Sequence, residues 1–189
     1  MQVIIQDAFE RHGAVWGKSL EEIGPAVEAG ARLLLAAAQA GQTVFTCGNG
    51  GSAADALHLA GEFTGRYKKD RRPLAAIALG ANLSHLTATA NDYSYEDVFS
   101  REIKALGREG EVLVAFTTHG GSKNVLKALT AARAKQMRTI VLTGTKGKYL
   151  TAQADIVVAV PSEETARIQE IHELVYHIWC EFIDANLDS

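Results

Sequence analysis

VFTCGNGGSAADALHLAGE, residues 44–62, joins three kinds of sequence in one run. Val44, Phe45 and Thr46 are β-branched or aromatic and suit a buried strand. Gly48, Gly50 and Gly51 allow a tight turn, and Ser52 stands where a side chain can cap the helix that follows. Such a helix start presents unpaired N–H groups and the positive end of its dipole to an anion. Further along that helix, His58 and Glu62 are four residues apart, so both project from one face, one turn above the other. The run predicts a phosphate loop and, on the same element, a pair fit for acid/base work or for a metal. GNGGS is neither the G-x-G-x-x-G dinucleotide fingerprint nor a Walker loop, which needs a lysine after its last glycine, so no nucleotide cofactor is expected. Taken alone, the same residues also describe an ordinary strand-to-helix turn and a solvated surface pair.

Upstream, residues 2–40 read as helix, alanine-rich, with Val27, Ala31, Leu34 and Ala38 at helical spacing. Gly24-Pro25 is expected to divide this stretch or to start a second helix. The resulting arm, residues 1–40, precedes the first strand at 42–47. Its apolar stripes need a cover, and a bundle with another subunit is the expected one. Downstream, Pro73 opens a second strand over 74–79, continuous in apolar character like a strand covered on both faces. Asn82 or Ser84 caps a short helix that ends near Asn91, and another runs from about Tyr95 to Leu106. EVLVAF (111–116) is a third strand, followed by the loop TTHGGS (117–122) and a helix over 122–135. RTIVLT (138–143) and IVVAV (156–160) are the fourth and fifth strands, and residues 165–187 form a long terminal helix.

Strands alternating with helices at this spacing predict an α/β fold. Its five-stranded parallel sheet is covered by helices on both faces, because each right-handed crossover lays a helix on the sheet. Ligands bind such sheets outside the carboxyl ends of the strands, near a switch point, and both glycine-hydroxyl loops lie at such ends. Thr117, Thr118 and Ser122 offer hydroxyls, with Gly120 and Gly121 permitting close approach before a helix N-terminus. Hydroxyls and amides without a lysine suit the phosphomonoester of a small molecule better than a nucleoside triphosphate. The terminal helix concentrates Gln169, Glu170, His172, Glu173 and His177 within nine positions. Helical spacing does not select between His172 and His177.

A chain of 189 residues fits one domain with a full core, and 47% hydrophobic with 22% charged residues excludes a disordered chain. The net charge of −3 gives no reason to expect nucleic acid or an anionic membrane as partner. Cys47 and Cys180 are far apart with no ligand spacing and read as reduced core thiols of a cytoplasmic protein. No apolar run approaches membrane-spanning length, and no N-terminal segment resembles a signal peptide.

Four stretches together, CGNGGSAADALHLAGEFTGRY (47–67), ANDYSYEDVFSR (90–101), ALGREGEVLVAFTT (105–118) and RIQEIHELVYH (167–177), resemble the sedoheptulose-7-phosphate isomerases of the sugar isomerase (SIS) domain superfamily. The resemblance implies a single SIS domain over 41–189, a flavodoxin-like three-layer sandwich, with the arm packing a homotetramer whose sites lie at subunit interfaces. It implies aldose-ketose isomerisation of sedoheptulose 7-phosphate to D-glycero-D-manno-heptose 7-phosphate, the first step of bacterial heptose nucleotide synthesis, and one zinc per subunit. Carried across, it puts Asn49, Gly50, Gly51 and Ser52 on the substrate, Thr117, Thr118, His119 and Ser122 around its phosphate, and Asn91 and Asp92 on sugar hydroxyls. His58, Glu62, Gln169 and His177 would surround the reacting carbons or hold the metal, with Glu62 as base and His177 as its acid partner. Arg66 matches a polar active-site position.

Three positions depart from the family pattern: His119 replaces a hydroxyl, Ala166 an aspartate, and Gly61 the first of two glutamates. Two other functions stay open. One is a non-catalytic relative of the replication initiator-associating type, which also has alanine before R-I-Q-E but lacks the acid/base pair. The other is an isomerase of another sugar phosphate.

Overall fold

The computed structural model describes residues 1–187. Five strands form one parallel sheet: β1 (Val44–Cys47), β2 (Ala76–Ala78), β3 (Val112–Phe116), β4 (Arg138–Gly144) and β5 (Ile156–Val160), in the order β2-β1-β3-β4-β5. Val44 of β1 is level with Ala76 on one side and Val112 on the other. The chain leaves β1 outward to β2 and returns on the other side to β3, so the winding reverses between β1 and β3. The loops after these two strands therefore open side by side at their carboxyl ends.

The strands alternate their side chains between two cores, as a period of two requires. Val44, Val112, Val114, Phe116, Ile140 and Leu142 meet the helices α1 (Gln2–Gln39), α2 (Gly51–Thr64) and α6 (Thr165–Asn186). Phe45, Cys47, Leu113, Ala115 and Val141 meet α4 (Val98–Leu106) and α5 (Lys123–Ala134). Short α3 (Leu83–Asp92) starts at Asn82, whose side chain accepts the His85 N–H at 3.2 Å. Two 3-10 segments, Tyr95–Asp97 and Thr145–Ala152, complete the chain. Both cysteines are buried and unpaired, and burial pushes each thiol up to about 12. No described helix is long and apolar enough to cross a membrane.

Several expectations need correction. The first forty residues form one helix, with Pro25 inside it. Proline removes a hydrogen bond and crowds the preceding turn, at about 3 kcal/mol. Burial of Ile23, Val27, Ala31 and Leu34 along the continuous second half outweighs this. The first half leaves Val3, Ile4, Ile5, Phe9, Trp16 and Leu20 exposed. β2 is a three-residue edge strand with Ile77 exposed, because it has a sheet neighbour on one side only. Ser52 does not cap α2: Gly50 occupies that place, and Ser52 lies buried in the first turn. The helix predicted from Tyr95 begins as 3-10, with Ser94 accepting the Glu96 N–H at 3.1 Å.

Glycine at position 30 lets α1 and α6 touch. A Cβ there would stand 2.8 Å from the fully buried Trp179 ring, whose Nε1 donates to the Val27 carbonyl at 2.8 Å. Gly30→Val is expected to lower stability by about 1–3 kcal/mol through overpacking, measured by urea unfolding.

Candidate active site

The first loop is held open by its own geometry. Gly50 has φ +58°, a region that side chains disfavour, and a Cβ on Gly48 would stand 2.3 Å from the Ser52 carbonyl. Asn49 exchanges two hydrogen bonds with Asn124 of α5, Nδ2 to Oδ1 at 2.9 Å and the reverse at 2.8 Å, and its Oδ1 also accepts the Tyr95 hydroxyl at 2.9 Å. The two glycine loops are thereby stitched to each other. Gln169 of α6 lies over the start of α2, its amide 2.6 Å from where a Gly51 Cβ would be and 3.5 Å from Ser52 Oγ.

In the second loop the Gly120 N–H donates to Thr117 Oγ1 at 3.2 Å, and Ser122 Oγ lies 3.4 Å from the same atom. Tyr149 donates its hydroxyl to the Gly120 carbonyl at 2.8 Å, and the Gly144 N–H donates to the Thr118 carbonyl at 3.0 Å. The first turn of α5 follows immediately, so helix-end amides and the hydroxyls of Thr117 and Ser122 lie together on this loop. His119 is exposed; its Nδ1 accepts the Gly121 N–H at 2.9 Å, so in the neutral ring Nε2 carries the hydrogen.

The acid/base groups meet where α2 and α6 pack. His58, Glu62 and His177 each place one donor atom within 4.8 Å of the other two. His58 Nε2 is 3.0 Å from Glu62 Oε1, and its Nδ1 is 2.9 Å from the Tyr176 hydroxyl. Burial, with Glu173 and Asp55 nearby, raises the Tyr176 phenol well above its ordinary range, so it keeps its hydrogen. A hydroxyl can donate to His58 Nδ1 or accept from it, so Tyr176 supports either imidazole tautomer. His177 is stacked on Tyr67, ring centroids 5.3 Å apart, and meets His58 edge-on at 5.1 Å. Two nitrogens and a carboxylate, one imidazole backed by a hydroxyl, fit zinc or a similar divalent ion.

His172 does not join this group. It is fully buried, its Nε2 3.3 Å from the Thr143 carbonyl and its Nδ1 unpartnered, and burial pushes its pKa down to about 4. Gln169 sits on the loop, eight residues or about 12 Å of helix rise from His177. Asn91 and Asp92 are exposed and hydrogen-bonded to each other at 2.8 Å. Asp92 lines a cleft of about 580 Å³ with His85, Tyr93, Arg101 and Lys104, none of them from either loop. Arg66 is exposed and donates to the Lys68 carbonyl at 3.3 Å. Beyond its own helical turn, no described atom lies within 4 Å of a Cβ built on Gly61.

Sequence reasoning missed Asp55, three residues before His58 and so on the same helix face. Among the described residues its Oδ2 is buried without a partner; burial pushes the carboxyl up to about 7, Glu173 adds to this and His58 opposes it. Helical spacing was the available signal for Asp55. Tyr67 lies on the connection after α2, and the Tyr176 contact to His58 crosses from α6 to α2, so spacing within one element gave no signal for either.

Residues 9–144 match the SIS domain family. The chain is 48% identical over 170 residues to a phosphoheptose isomerase of Thiobacillus denitrificans, covering 88% of this chain and 86% of that one. It is 44% identical over 181 residues to a phosphoheptose isomerase of Helicobacter pylori, with 96% and 94% covered. The solved phosphoheptose isomerase of Neisseria gonorrhoeae superposes with a TM-score of 0.91 at 39% identity, over 97% of this chain and 98% of that one.

Three variants probe these residues. Gly51→Ala is expected to fold as stably as the parent, since only the movable end of Gln169 must shift, yet to weaken substrate use at least fivefold in kcat/KM. The two buried titrating groups pull stability in opposite directions. Between about pH 4 and 6.5 the unfolded chain protonates His172 and the folded one does not, so stability is lost as pH falls. Asp55 holds a folded-state proton that the unfolded chain has released, so its share is lost as pH rises towards 7. With chelator present, His172→Leu should gain about 3 kcal/mol relative to the parent as pH falls through that window. Asp55→Asn should gain relative to the parent as pH rises. Urea unfolding at several pH values checks both.

Proposed function

The chain belongs to the SIS domain family, among the phosphoheptose isomerases, and from this we propose that it converts sedoheptulose 7-phosphate to D-glycero-D-manno-heptose 7-phosphate at the α2–α6 cluster. The observation that carries the reading is the convergence of His58, Glu62 and His177 from two helices beside two stitched glycine loops. The phosphate binds Thr117, Thr118 and Ser122 and the start of α5, with His119 at its edge; Asn49, Gly50, Gly51, Ser52 and Gln169 hold the sugar. The Glu62 carboxylate takes the proton from C1, and the freed pair forms the C1–C2 double bond of an enediol while the C2 oxygen gains a proton from His177. Glu62 then returns its proton to C2, and the C1 hydroxyl gives its own to His177, leaving the aldehyde. Zinc would be held by His58, Glu62 and His177, with Gln169 as a further ligand once its amide leaves Ser52, and would polarise the substrate oxygens. Glu62 has two oxygens and His177 two ring nitrogens, so in each residue one atom can hold the metal while the other moves the proton.

Homotetramer assembly is part of the proposal. A groove of about 560 Å³ between α1 and α6, lined by Trp16, Leu20, Val27, Leu174, Ile178 and Phe182, lies open in one protomer and supports coverage by another copy. Sites at the subunit interfaces would let Asn91 and Asp92 reach a neighbouring substrate. The two free thiols favour a reducing cytoplasm, where the step would open heptose nucleotide synthesis. The non-catalytic alternative leaves the convergence of acid and base unexplained.

Isomerase assays with product identified by NMR test this. Glu62→Gln should cut turnover by about 10²-fold or more with KM within a few fold, the size of a lost general base. Chelator should lower turnover and added zinc restore it. A folded parent protein inactive on this substrate under all conditions would overturn the reading.

A further inference from the structure

Arg71 is a charged side chain almost sealed from water, 1% exposed, and its partner Asp184 is 8% exposed. The Arg71 Nε donates to Asp184 Oδ1 at 2.9 Å, and Nη2 donates to the Glu62 backbone carbonyl at 2.9 Å. Nη1 donates to the carbonyls of Phe63 at 3.2 Å and Arg72 at 3.0 Å. The other Asp184 oxygen accepts the backbone N–H groups of Lys68 and Lys69, each at 2.9 Å. Desolvation pushes the Asp184 carboxyl up, but the two amides and the guanidinium outweigh it and hold the group below its usual range, so the pair is charged.

These bonds join three parts of the molecule. Glu62 and Phe63 lie in the last turn of α2, where carbonyls have no helical partner and the backbone frays unless something accepts the task. Arg71 caps that turn from nine residues away. Lys68 and Lys69 belong to the connection that carries Tyr67, the ring stacked on His177. Asp184 lies seven residues beyond His177 on α6, two turns along the same face. One ion pair thus fixes the backbone of the base, the platform under the acid and the helix that bears it.

We propose that Arg71, held by Asp184, is a positioning residue that sets the separation of Glu62 and His177 for proton transfer. This rests on the proposed isomerase reading. Stability alone is a poor reason for such a pair, since replacing a buried ion pair by apolar side chains of similar volume is often neutral or stabilising. The Phe63 carbonyl also accepts the Leu74 N–H at 2.9 Å, so what apolar side chains cannot supply is the donor on the Glu62 carbonyl.

The test uses Arg71→Met with Asp184→Leu in one full-length protein, and Arg71→Lys separately, with the parent protein's turnover of sedoheptulose 7-phosphate as reference. A parent without turnover would refute the isomerase reading itself, independently of Arg71. With an active parent, the double variant should melt near the parent temperature and keep KM within about twofold, because the phosphate loops are untouched, while kcat falls at least tenfold. Arg71→Lys keeps the charge but lacks the fork that reaches three carbonyls, and should show the same split. A folded variant with kcat within twofold, or with KM rising as much as kcat falls, would overturn the proposal. Failure of both proteins to fold would also overturn it, by making the pair structural.

Discussion

Where α6 crosses α2, Gly51 has no side chain, the Gln169 amide rests on the helix start, and about two turns later His177 stands beside His58 and Glu62. This crossing is the constraint on which the rest depends. Neither helix carries a complete site: α2 has the loop, His58 and Glu62, and α6 has Gln169, Tyr176 and His177. The sheet holds both helices on one face through Phe116, Ile140 and Leu142, and Trp179 locks α6 to α1 behind them.

The polar groups buried at this crossing are uneven in their satisfaction. Arg71 and Asp184 have all their main partners, whereas Asp55 Oδ2 and His172 Nδ1 have none. An unpartnered buried group destabilises the fold by an amount comparable to a lost hydrogen bond, and proteins keep such groups mainly near function. Asp55 lies one turn from His58 and beside Glu173, inside the electrostatic field of the reacting groups. His172 lies against β4 at Thr143, next to Gly144, whose N–H donates to the Thr118 carbonyl of the second glycine loop.

Much of the fold was legible because hydrophobic period and β-branched runs decide strands locally; IVVAV matches β5 residue for residue. Misreadings came where tertiary burial overrode local signals. Pro25 is a helix breaker by propensity, but a continuous buried face carried α1 through it. Apolar residues around Ile77 suggested a strand covered on both faces, whereas β2 is an edge strand with Ile77 exposed. At the site, His58 and Glu62 were readable as neighbours on one helix, and Asp55 could have been. Spacing left His172 and His177 equal; the family resemblance favoured His177, and the packing of α6 on α2 brings His177 beside His58 and Glu62 while His172 is buried against β4. Tyr176 on His58, Tyr67 under His177 and Arg71 on Glu62 are contacts between elements, which periodicity within one element does not encode.

The chemistry turns on whether a proton leaves C1 for a protein base or a hydride passes directly between carbons. Glu62 is partly open to solvent, its side chain 19% exposed, so a proton it holds can exchange before returning to the sugar. Isomerisation in D₂O, followed by NMR of the heptose phosphate, distinguishes the two. Transfer through Glu62 predicts deuterium at C2 of the product. Complete conversion with no deuterium at C2 would contradict the enediol account and point to hydride transfer.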